Sequence, residues 1–103
     1  MKPIVFLGRS LEALREFPPS VKRATGYQLD KVQRGLDPND WKAMPSIGPG
    51  VRELRIRIKG AWRVVYIANR IDAVYVLHAF QKKTQRTAIQ DIAVIKSSLK
   101  ELK

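Results

Sequence analysis

A chain of 103 residues, 45% of them hydrophobic, is long enough to bury one core and too apolar to be read as intrinsically disordered. Twenty Lys and Arg against nine Asp and Glu give a net charge of +11 and a pI near 10.5, so a polyanionic partner is expected, nucleic acid ahead of an anionic membrane surface or an acidic protein. The absence of cysteine excludes disulfides and thiolate metal sites; the opening seven residues are too short for a signal-peptide core, and no apolar run approaches the ~20 residues of a membrane span, so a cytoplasmic chain without membrane association is the expectation.

Residues 3–7 form a short apolar run with Gly8 behind it, which predicts a strand. Residues 10–17 set Leu11, Leu14 and Phe17 on one helical face, with Ser10 at the N-cap and Pro18-Pro19 as the stop. A second helix is predicted over residues 19–34, where Val21, Thr25, Leu29 and Val32 recur at helical spacing and Gly35 stands at the C-terminal position. Residues 37–50 are dense in turn formers and predict an irregular connection carrying Trp41 and Met44 into the core. Residues 51–58, 62–68 and 73–80 are rich in β-branched and aromatic side chains, the pattern of an antiparallel three-stranded meander. After a basic loop at 81–86, Thr87 and Gln90 form a capping-box pattern opening a last helix lined by Ile92, Ile95, Leu99 and Leu102. The element order is β-α-α-β-β-β-α, an α+β fold in one domain over residues 1–103.

Alternation within the meander carries the functional information. Leu54, Ile56 and Ile58 point one way, and Glu53, Arg55 and Arg57 the other. A two-residue hairpin would insert Arg63 among the aliphatics, whereas a three-residue loop at Lys59-Gly60-Ala61 pairs Arg57 with Arg63 and keeps Trp62, Val64 and Tyr66 with the apolar set; burial selects the second. The next hairpin sets Arg63 opposite His78. Arg55, Arg57, Arg63, His78 and Phe80 then share one face. Like charges opposite each other cost roughly a few tenths to 1 kcal/mol per pair, so the expectation is a cationic cluster without protein counter-charges, open to a phosphate, with Phe80 as a stacking platform for a base. Arg63 is expected to lie outside the apolar core. Trp62 and Tyr66 are read as core, and Arg52 and Arg86 as solvated cations, Arg86 adding attraction for RNA.

The stretches Gly48-Pro49-Gly50-Val51-Arg52-Glu53-Leu54-Arg55, Trp62-Arg63-Val64-Val65-Tyr66 and Leu77-His78-Ala79-Phe80-Gln81-Lys82-Lys83-Thr84-Gln85-Arg86-Thr87 resemble the RelE/ParE toxin superfamily, in particular its Gp49-like branch with HigB-type proteins. The resemblance implies a RelE-like arrangement with helices packed on one face of the sheet. It implies a toxin that cleaves mRNA on the ribosome, and Arg55, Arg63, Lys82 and Lys83 as the basic residues used on RNA. It also implies a co-encoded antitoxin, often with a helix-turn-helix domain. The implied reaction is attack of a ribose 2′-hydroxyl on the adjacent phosphorus, which needs charge stabilisation, a base and an acid. No metal or other cofactor is required, and no carboxylates cluster in the sequence. His78 is the only imidazole and therefore an acid–base candidate. Residues 99–103 contain neither the His nor the Tyr that some relatives place there, and Ala88 stands where Pro is frequent. Two rival readings are a ParE-like topoisomerase poison and a non-catalytic nucleic-acid-binding module.

Overall fold

The computed structural model describes residues 1–102 and contains β1 (Ile4–Phe6), α1 (Ser10–Arg15), α2 (Pro19–Gln33), β2 (Trp41–Ala43), β3 (Val51–Arg57), β4 (Ala61–Ile67), β5 (Val74–Lys82) and α3 (Ile89–Glu101). The strands form one sheet in the order β1-β5-β4-β3-β2, with β1 parallel to β5 and every other pair antiparallel. The α+β class and the meander agree with the sequence. The edge strand β2 was not foreseen: only three residues long and set between turn formers, it has no periodicity of its own, and it is defined by pairing Trp41, Lys42 and Ala43 with Leu54, Glu53 and Arg52.

The helices do not share one face of the sheet, contrary to expectation. Phe17, Val21, Leu29 and Val32 of the α1–α2 segment pack on Leu54, Ile56, Trp62, Val64, Tyr66, Val74 and Val76, whereas Ile95 of α3 packs on the opposite face with Val51, Val65, Ile67 and Leu77. Both faces of β4 are apolar apart from Arg63, so the sheet needs a cover on each side. Trp62 and Tyr66 are core, as read from the sequence.

The β3–β4 hairpin pairs Arg55 with Arg63 and Arg57 with Ala61, so its loop is 58–60 and not 59–61. Lys59 and Gly60 take positive φ there, 51° and 126°. A three-residue loop one position earlier shifts the pairing by two, which preserves every side-chain facing but replaces the Arg57/Arg63 juxtaposition with Arg55/Arg63. A bulge also intervenes between β4 and β5: Val65 pairs with His78 but Tyr66 with Val76, leaving Leu77 as the extra residue. The β4–β5 turn is centred on Ile71 and not between Arg70 and Ile71, and this together with the bulge sets Arg63 opposite Phe80, not His78.

Helix termini differ in detail. Gly35 adopts φ +83° after α2, the left-handed conformation that the C-terminal position requires. Ser10 is the first residue of α1 rather than its cap, and its hydroxyl donates to the Val76 carbonyl. Ala88, not Thr87, precedes α3, with no side-chain capping bond.

Candidate functional site

α3 packs its apolar residues over the Val51 and Ile67 end of its face of the sheet, while the Arg55–Arg57 end of β3 carries charge. Between that charged end, the segment after β2 and the loop entering α3 lies a cleft of about 560 Å³. Its charged lining residues are Lys42, Glu53, Arg55, Lys82 and Arg86; Met44, Ile47, Ile89 and Ile92 form an apolar wall. Strand pairing explains this convergence. Lys42 is the ladder partner of Glu53, and Arg55 stands two residues further along the same face. Lys82, the last residue of β5, is the ladder partner of Ala61 at the start of β4. Ile89, at the first turn of α3, is 85% exposed at the cleft.

Four cations in the cleft face one carboxylate. Glu53 is only 4% exposed, and its Oε1 accepts a hydrogen bond from Arg55 Nε at 3.1 Å. The same oxygen lies 3.3 Å from Arg63 Nε, within ion-pairing range but without hydrogen-bond alignment, so the proton on that buried nitrogen has no aligned acceptor. Among the described residues no carboxylate lies within ion-pair distance of Lys42, Lys82 or Arg86.

Three of the residues singled out from sequence line this cleft: Arg55, Lys82 and Arg86. The other five lie elsewhere. Arg63 is 5% exposed between Arg55 and Phe80, with Nη1 donating to the Trp62 carbonyl at 3.1 Å, and burial pulls its ionisation below the ordinary arginine range despite Glu53. The expectation that Arg63 stands outside the core therefore fails. Arg57 is exposed and paired with Asp40 at 3.0 Å. His78 Nε2 lies 2.8 Å from Asp91 Oδ1, which ties β5 to α3, and its ring stacks on Phe80. Phe80 is buried against the α3 side and is therefore no open platform for a base. Lys83 borders a separate hollow with Phe80, Lys82, Thr84 and Asp91. The expected absence of protein counter-charges is likewise overturned, because Glu53, Asp40 and Asp91 already engage Arg55, Arg63, Arg57 and His78.

Sequence reasoning missed Lys42 and Glu53 as members of the site. Lys42 was hidden in a segment read as irregular. The signal for Glu53 was present, since it alternates onto the same face as Arg55.

On the opposite face a second cavity of about 420 Å³ lies among Lys2, Leu36, Asp37, Arg52, Tyr66 and Asn69. Arg52, read from sequence as solvated, is held by Asp37 at 2.9 Å and stacks over Trp41. It also stands beside the Tyr66 hydroxyl, which is fully buried and lacks a hydrogen-bond partner of good geometry. Burial pushes the Tyr66 phenol above its usual range, with Arg52 opposing.

Among the described residues no three His, Asp or Glu side chains group as metal ligands, and no helix is long and apolar enough to cross a membrane. A family model described as phage-derived protein Gp49-like (DUF891) matches residues 12–100, a span that includes all of the cleft. No curated protein matches the chain.

Proposed function

The chain belongs to the Gp49-like phage-derived protein family, a RelE/toxin-like family, and on that premise we propose that it is a toxin-antitoxin toxin that cleaves mRNA on the ribosome, with the scissile phosphodiester seated in the cationic cleft. One observation carries this reading: Lys42, Lys82 and Arg86 converge on a single cleft with no carboxylate paired to them among the described residues. Unpaired cations on neighbouring elements repel one another, and a phosphate supplies the missing opposite charge.

In the proposed reaction the ribose 2′-hydroxyl loses its proton to solvent as its oxygen bonds to phosphorus, the bond from phosphorus to the 5′-oxygen breaks, and that oxygen takes up a proton, leaving a cyclic phosphate and a 5′-hydroxyl. Charge builds on the non-bridging oxygens of the phosphorane, where Arg55, Lys82 and Arg86 stabilise it. Lys42 and Lys82 are hydrogen-bond donors for the departing 5′-oxygen. The apolar wall of Met44, Ile47 and Ile89 takes the place assigned from sequence to Phe80, as the surface against which an unpaired base rests. His78, engaged by Asp91 and outside the cleft, is not given the acid–base role.

The test is to express the wild type and a Lys42→Ala/Lys82→Ala/Arg86→Ala variant and to map the 5′ ends of translated mRNA. The wild type is expected to create new 5′-hydroxyl ends within reading frames, and the variant to create none. Intact mRNA with DNA breaks trapped on a topoisomerase would replace this reading with the ParE-like one. Steeply salt-dependent RNA binding without any product would reduce the chain to a binding module.

A further inference from the structure

Arg55, Glu53 and Arg63 form a line running from the cleft into the sheet. The outermost, Arg55, lines the cleft and keeps 22% of its side chain exposed. Glu53 also reaches the cleft wall, but nearly all of it is buried. Arg63 is absent from the lining altogether. A single carboxylate oxygen, Glu53 Oε1, faces the Nε atoms of both arginines. Arg55 and Arg63 are direct ladder partners, so without that oxygen two guanidinium groups would oppose each other across adjacent strands.

We infer that Arg63 is a positioning residue, which holds Glu53 so that Glu53 in turn fixes the Arg55 guanidinium in the cleft, and that Arg63 does not itself touch the RNA. The assignment rests on the reading of the cleft as the RNA site and divides the labour within it. Its first support is access: a side chain this buried, with Nη1 bound to the Trp62 carbonyl and Phe80 on its other flank, presents no face to the cleft. Its second support is cost. A buried ion pair is commonly replaceable by apolar side chains of similar volume with no loss of stability, and the rest of β4 from Trp62 to Ile67 is already apolar. Structure alone therefore does not call for a guanidinium at this place. What an aliphatic side chain could not supply is a fixed positive charge behind Glu53. Arg55 has a long side chain with many rotamers, and orienting its planar fork before RNA arrives is the service that the buried pair performs.

The experiment uses the full chain and two readouts. In the first, the Nε–Hε resonance of Arg55 is followed by nuclear magnetic resonance in the absence of RNA. It is expected to be slow to exchange with water in the wild type, averaged and fast to exchange in Arg63→Met, and partly restored in Arg63→Lys, which keeps a positive charge behind Glu53. In the second, cleavage is measured for Glu53→Gln, Arg63→Met and the double variant. Each single change is expected to lower kcat by on the order of 100-fold with KM little changed. The double variant is expected to fall within about twofold of the worse single, because both changes break one chain of contacts. The double variant removes both charges and so avoids a lone buried ion, which keeps the measurement possible if Arg63→Met alone fails to fold. An Arg55 resonance unaltered by Arg63→Met would overturn the inference, as would single effects that multiply in the double variant. A wild type that cuts no RNA would defeat the proposed function, while the Arg55 resonance would still decide the relay.

Discussion

The two faces of the sheet are covered in different ways. The face under α1 and α2 is apolar from Val74 and Val76 on β5 through Val64 and Tyr66 on β4 to Leu54 and Ile56 on β3, with charge confined to one margin, where Arg52 pairs with Asp37. The face under α3 is apolar at one end, around Val51, Val65, Ile67 and Leu77, and charged at the other, where Glu53, Arg55, Arg57, Arg63 and Lys82 stand. The same strands build both. Folding is driven by the first face and by half of the second, and the remaining half is left to electrostatics and to whatever binds there.

If the faces divide in this way, one charged residue should behave energetically as core. Glu53→Ala leaves Arg63 buried without its counter-ion and is expected to cost about 3–5 kcal/mol in chemical denaturation. Its neighbour Leu54, facing α2, should lose about 2–5 kcal/mol on conversion to Ala. A Glu53→Ala variant as stable as the wild type would show that the buried pair contributes nothing, and only the apolar residues of the two faces would then hold the fold. The rim should behave in the opposite way. Removing Lys42, Lys82 and Arg86 one at a time should change stability by no more than about 0.5 kcal/mol each, and should lower the slope of log affinity for single-stranded RNA against log salt by roughly 0.7 for each phosphate left without its cation. An unchanged slope would take those cations out of the interface.

The smallest expected effect lies on the apolar face. Burial raises the Tyr66 phenol above its usual range in the folded state, so the stability it contributes is complete below the unfolded-state value of about 10 and is lost as pH rises from there through the folded-state value. Tyr66→Phe should flatten that alkaline decline and alter stability at neutral pH by at most about 1 kcal/mol, since the buried hydroxyl it removes has no well-aligned partner. A variant with the same alkaline loss as the wild type would assign the decline to another group.

Much of the fold was legible because alternation is a strong signal on a strand buried on one side. The facing of Glu53 through Ile58 could be read directly, and an error of one position in placing the hairpin loop shifted the pairing without flipping any side chain. The bulge at Leu77 was not legible, since nothing in Val76-Leu77-His78 distinguishes an extra residue from a regular one. Of the candidate site, Arg55, Lys82 and Arg86 emerged from sequence. Lys42 did not, because a three-residue edge strand is defined by its partner. The counter-charge on Arg63 was missed for another reason: cross-strand repulsion was read as a demand for an external anion, when Glu53 on the neighbouring strand already met it.

The bulge has a bearing on which length changes this chain could accept. By sending both Leu77 and His78 toward α3, it resets the phase of β5 midway, so that Leu77 reaches the hydrophobic cluster while Phe80 and Lys82 still fall on the charged side. Deleting Leu77 would restore regular alternation and leave His78, Ala79, Phe80 and Lys82 facing as they do, at the cost of the Leu77 contact with the hydrophobic cluster. Inserting one more residue there would instead turn over every later side chain of the strand, carrying Lys82 toward α2 and Ala79 away from it. The hairpin at 58–60, open to solvent and joining only neighbouring strands, has no such frame to keep. A one-residue insertion should therefore be tolerated at one end of β4 and rejected in the middle of the strand beside it, where only the loss of the bulged residue would keep the frame.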